Sequence, residues 1–152
     1  MIQKNYFAKG PLQAGGVLSI IKKTIVKTPH HDALLTIYEA GYSSVEMKCL
    51  IDSIHGLMPS LKIAGICVLT IMDAPSIQKG IRLNLILTKS SDIEVIDMSC
   101  VQGKEDNAAN VLKEKLDATS NPKAVGIFAC NMGLNISAFL RKATVDHRDV
   151  CV

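Results

Sequence analysis

Apolar and polar positions follow two different periods along this chain, and the changes from one period to the other mark its elements. Over residues 14–28, Val17, Leu18, Ile21 and Ile25 fall at helical spacing, Lys22, Lys23 and Lys27 occupy other positions of the turn, and Pro29 stops the pattern. The spacing predicts a basic amphipathic helix, whose stripe suits either packing on a sheet or a docking surface on a membrane or partner. After His30, His31 and Asp32, the near-continuous apolar run ALLTIY (33–38) reads as a strand covered on both faces. A loop follows at 39–42. Ser43 and Glu46 then stand at capping-box spacing, and Met47, Leu50, Ile51, Ile54, Leu57 and Met58 repeat at three and four until Pro59. The run KIAGICVL (62–69) is again β-branched and apolar, so strand, helix and strand form an expected parallel unit.

Residues 81–88 alternate, with Ile81, Leu83, Leu85 and Leu87 on one side, and DIEVIDMSC (92–100) follows across a short turn, which predicts a hairpin. Ala108, Ala109, Leu112 and Leu116 share a helical face within 104–118, expected to cover the sheet, before Asn121 and Pro122 stop the helix. AVGIFAC (124–130) reads as a further buried strand. Ile136, Phe139, Leu140 and Ala143 mark a last amphipathic helix, and the tail from Val145 has no expected element. The class is α/β, a single layered domain with a mixed, partly parallel sheet flanked by helices. No repeat, low-complexity tract or linker suggests an internal boundary.

Composition narrows the function. With 48% hydrophobic residues the chain is too apolar to be disordered. Its longest unbroken apolar run, 63–69, falls far short of the roughly 18 residues a spanning helix needs, and no secretory signal opens the chain, so a cytoplasmic protein without a transmembrane segment is the expectation. Five cysteines (Cys49, Cys67, Cys100, Cys130 and Cys151) are odd in number and form no CxxC pair, which argues for reduced, buried thiols. Residues 1–31 carry five lysines and no acid, leaving the remainder of the chain net acidic despite an overall charge of +3. Three arginines and few aromatics give no nucleic-acid footprint.

Open α/β sheets bind ligands beyond the carboxyl ends of their parallel strands. Three loops qualify here: Glu39, Gly41, Tyr42 and Ser43 after the first strand, Gly65 and Cys67 in the region ending the second, and Cys130, Asn131 and Gly133 after the last. Amides opening the helices at Ser43 and Asn135 would favour a carboxylate or phosphate, whereas the plainer reading makes Ser43 and Asn131 caps and the glycines turns. Cys130 sits between strand and helix, where a thiol can be activated, but Phe128 and Met132 stand where a nucleophile elbow has small residues. His30, His31 and Asp32 resemble a metal cluster, yet adjacent histidines point apart and a polar turn accounts for them. Neither a G-x-G-x-x-G nor a P-loop motif occurs, and no cofactor is expected.

Four stretches carry a family resemblance: ALLTIYEAGYS, then MPSLKIAGICV with its proline, strand and glycine, then IRLNLILTKSSDIEVIDM, and finally NPKAVGIFACNMG. Together, from 32 to about 143, they resemble the N-terminal part of FIST domains, sensory modules of bacterial signalling proteins. The resemblance implies a non-catalytic, ligand-sensing input module joined through its C-terminal side to an output domain such as a diguanylate cyclase, a histidine kinase or a chemotaxis-type unit. It implies a small-molecule ligand, an amino acid or small anion. Two rival classes come from the residues themselves. One is a homodimerisation module using Ile66, Val68, Leu69, Ile71 and Met72. The other is a cysteine-dependent enzyme or redox sensor using Cys130.

Overall fold

In the computed structural model, residues 1–67, 71–73, 76–78, 80–98, 103–128, 135–147 and 149–152 are described, and they group into two compact units, Met1–Val95 and Ile96–Val152. The fold is α/β with a mixed sheet. Unit 1 contains β1 (Ile2–Ala8), a single 3-10 turn (Pro11–Gln13), α1 (Ala14–Lys27), β2 (Asp32–Ala40), α2 (Ser44–Leu57), β3 (Lys62–Cys67), β4 (Ile71–Asp73), β5 (Ser76–Gln78) and β6 (Gly80–Thr88). Unit 2 contains α3 (Glu105–Ala118) and α4 (Ile136–Ala143).

The main sheet runs in the order β1-β6-β2-β3, while β4 and β5 pair separately and antiparallel. β2 and β3 are parallel, as the strand, helix and strand pattern predicts. β6 lies antiparallel between β1 and β2, with Leu83 opposite both Tyr6 and Ile37 and Leu85 opposite both Lys4 and Leu35. The period-2 alternation of β6 puts Ile81, Leu83, Leu85 and Leu87 on one face, where all four are buried with Ala33, Leu35 and Ile37. That face receives Ala14, Leu18 and Ile21 of α1 and Leu50 and Ile54 of α2. Each fully buried Leu or Ile contributes about 1.5–3 kcal/mol of transfer free energy, so this layer holds most of the unit's apolar stabilisation. Leu18 at 1% and Ile21 at 0% exposure show that the basic helix turns its stripe inward, leaving Lys22, Lys23 and Lys27 in solvent.

Several expected elements differ. The hairpin of 81–88 with 92–100 does not form: residues 92–98 are not a strand, and 99 and 100 lie outside the described residues. Both edges of β6 are already taken by β1 and β2, so no further strand can pair with it. Instead the segment folds back on the start of β2, where Ile93 N–H donates to Asp32 Oδ2 at 2.8 Å and His31 Nε2 meets Asp92 Oδ1 at 2.7 Å. The strand expected at 124–130 is reduced, within its described part, to one parallel bridge between Ala124 and Cys151. That bridge also corrects the reading of the tail, because Cys151 N–H donates to Lys123 O at 3.0 Å and Cys151 O accepts from Val125 at 2.8 Å. The buried face of α3 meets Phe139 and Ala143 of α4 inside unit 2. β1 was not legible as a strand, and neither were β4 and β5. Cys49 and Cys151 are exposed free thiols, contrary to the expectation of burial. Among the described residues no helix is long and apolar enough to cross a membrane.

Asp32 fastens this arrangement. Its carboxylate accepts from Lys62 of β3 and from the Ala33 amide at 2.8 Å as well as from Ile93. Burial pushes the Asp32 carboxyl up, but the Lys62 ammonium and the Ile93 and Ala33 amides outweigh it and leave the group below its ordinary value. A depressed folded value means that the stabilisation is complete above the unfolded carboxylate range, near pH 4, and disappears as pH falls through the lower folded value. Stability measured by urea unfolding should therefore decline below about pH 4 in the native chain, and Asp32→Asn should flatten that decline. Leu85→Ala should cost about 2–5 kcal/mol at neutral pH in the same assay.

Candidate functional site

Because β6 opposes both β1 and β2, those two strands run the same way and end together. Ala8 and Ala40 therefore lie at one end of the sheet, with the start of β6 between them and the end of β3 alongside. Tyr42 stitches the two loops at that end, its hydroxyl donating to the backbone oxygen of Lys9. Gly10 sits under the same ring, where a Cβ would come within 3.2 Å of the phenol oxygen. Gly41 takes φ +83°, a left-handed conformation that glycine adopts without strain and that turns the chain from β2 into α2.

Two carboxylates hold consecutive amides of this turn. Glu39 Oε2 accepts from Tyr42 N–H at 3.3 Å, and Glu46 Oε2 accepts from Ser43 N–H at 2.8 Å and from Ser43 Oγ at 2.7 Å. Ser43 Oγ in return accepts from Glu46 N–H at 3.3 Å, completing the capping box expected from the spacing. Glu39 is only 7% exposed, on the helix-facing side of β2, with Ile81 and Cys67 as its register neighbours. Burial, then Glu46 and then Glu39 raise the Tyr42 phenol above its ordinary value.

Glu39, Gly41, Tyr42 and Ser43 are thus brought together as one turn. Cys67 stands beside Glu39 in the backbone register, and its side chain lies outside the described residues, as do those of Ile66, Ile71 and Met72. Cys130, Asn131 and Gly133 lie outside the described residues entirely, and so do Val68 and Leu69. Gly65 has a packing role, since a Cβ there would lie 2.5 Å from the Ile37 carbonyl oxygen across the β2 and β3 ladder. At the start of α2 the capping box engages the Ser43 and Glu46 amides. Sequence reasoning missed Lys9 and Gly10. The signal available was the Gly10–Pro11 step after the alternating stretch Ile2–Ala8.

Other candidate chemistry is dispersed. His30 Nδ1 bonds the Thr28 oxygen at 2.8 Å while His31 turns to Asp92, and among the described residues no three His, Cys, Asp or Glu side chains are grouped to hold a metal. A shallow open cavity of about 480 Å³ lies along α4, lined by Asn135, Ala138, Arg141, Lys142 and Val145. Asn135 Oδ1 is engaged there in capping Ala138 N–H at 3.0 Å, and Lys142 pairs with Asp106 at 2.8 Å. Comparison with protein-family models, with curated proteins and with solved structures gives no match.

The close approach at Gly65 is open to test. Gly65→Ala should destabilise the fold by about 1–3 kcal/mol in urea unfolding, because backbone of β2 rather than a flexible side chain meets the added methyl.

Proposed function

We propose that this chain is a small-molecule-sensing input domain of the FIST type, non-catalytic in itself, that biases an attached output domain of a bacterial signal-transduction protein. The observation that carries the reading is the end of the sheet at which β1 and β2 terminate together. There a buried residue, Glu39, adjoins a turn whose left-handed position, Gly41, and stitching residue, Tyr42, link two loops. A ligand that favours one arrangement of these loops shifts the population of the domain, and that differential affinity is the free energy available to an output unit. The family resemblance supports the same reading, because its first stretch, ALLTIYEAGYS, contains every residue of this turn up to Ser43.

A thermal-shift screen of the purified chain against amines, amino acids, small carboxylates, phosphates and nucleotides tests the proposal. Binding to the native state stabilises it by about 2.7 kcal/mol at a hundredfold excess over Kd, so a saturable rise in Tm with at least one class is expected. A well-folded sample whose Tm does not respond to any class would contradict the sensing role.

A further inference from the structure

We propose that the solvent-facing side of α1 docks the chain on an anionic lipid surface, its lysines meeting the headgroups while Ile20 and Val26 enter the interface. The proposal goes beyond the sensing role and stands apart from it. α1 is held by Ala14, Leu18 and Ile21, none more than 1% exposed, so its opposite side is fixed outward. There Ile20, Lys23 and Lys27 succeed one another at three and four residues, and Lys22 stands four before Val26. The three lysines are exposed, as are Ile20 at 54% and Val26 at 78%. A Cβ added at Gly15 or Gly16 would meet nothing within 4 Å, so the first turn is open as well. Lys4 extends the patch: it shares the core-facing side of β1 with Tyr6, whose hydroxyl lies 3.3 Å from Thr24 Oγ1 of α1.

Helix stability does not account for this arrangement. Lys23 and Lys27 are like charges at four-residue spacing, which opposes a helix, whereas α3 sets Asp117 four residues after Lys113 and pairs them at 3.4 Å. Lys4, Lys9, Lys22, Lys23 and Lys27 form no ion pair among the described residues, and residues 1–31 contain no acid to neutralise them. A surface of one sign with aliphatic side chains set among its charges is complementary to a bilayer of anionic lipid, whose headgroups take the ammonium groups and whose boundary takes the apolar ones. A nucleic acid would call for arginine or aromatic rings among the lysines, and residues 14–28 have neither.

Co-sedimentation of the 152-residue chain with phosphatidylcholine vesicles, with and without phosphatidylserine, at low and high salt tests the proposal. Binding is expected only where phosphatidylserine is present, and it should fall as salt screens the lysines. Each lysine near an anionic surface is worth about fivefold in partitioning, so Lys22→Gln, Lys23→Gln and Lys27→Gln together should reduce binding by about a hundredfold. Ile20→Ser with Val26→Ser should also weaken binding while leaving Tm unchanged, since both side chains are exposed. Equal binding to the two vesicle types, or binding to neither, would overturn the proposal, as would a triple lysine variant that binds like the native chain. A chain that ignores the vesicles but takes up polyglutamate or single-stranded DNA through the same lysines would overturn it too, in favour of an acidic macromolecule. The thermal-shift test of the sensing role is unaffected by any of these results.

Discussion

The central ladder of β6 is the constraint on which the rest of unit 1 depends. Its leucines are matched on two sides at once, Leu83 with Tyr6 and Ile37, Leu87 with Ile2 and Ala33, and the same face is closed by α1 and α2. A slip of one residue on either side would carry the whole apolar set to the opposite face, so the register is fixed by burial as well as by hydrogen bonds. The insertion of a late strand between two early ones also makes β1 and β2 parallel to each other without being neighbours.

The geometry of the strand end is a consequence of that insertion. Since β1 and β2 end on the same side of β6, the loop at Lys9 and Gly10 comes within reach of the loop at Gly41 and Tyr42. Glu39 occupies the last helix-facing position of β2, in line with Ala33, Leu35 and Ile37, where alternation would call for an apolar residue. A charge at such a position weakens the local consistency of the fold, and departures of that kind concentrate at functional sites. The capping box beside it engages the Ser43 and Glu46 amides internally.

Much of this was legible in the residues. The α/β class, β2, α2 with its Ser43 and Glu46 box, the start of β3 and the helices α1, α3 and α4 follow from periods and caps that tertiary contacts reinforce. β1 was not, because its core-facing positions Ile2, Lys4, Tyr6 and Ala8 include a lysine and a small residue, which blurs the alternation. The hairpin after β6 was misread for a topological reason: Ile93 and Val95 alternate as a strand should, but the edge they would need belongs to β1 or β2. Local pattern reports which face a residue prefers, and it is silent on which edge is vacant. Of the site, Glu39 to Ser43 could be found from the strand, loop and helix order, whereas Lys9 and Gly10 required knowing that β1 ends beside them.

The central claim is that binding takes place at the end of the sheet where β1 and β2 terminate. Backbone amide shifts in a nitrogen-edited NMR spectrum, followed during titration with an amino acid, test it most directly. The account predicts that the perturbed amides cluster at Lys9, Gly10 and Gly41 through Val45. Perturbations confined to Asn135, Arg141 and Lys142 along the α4 groove, with the Tyr42 turn unmoved, would contradict it.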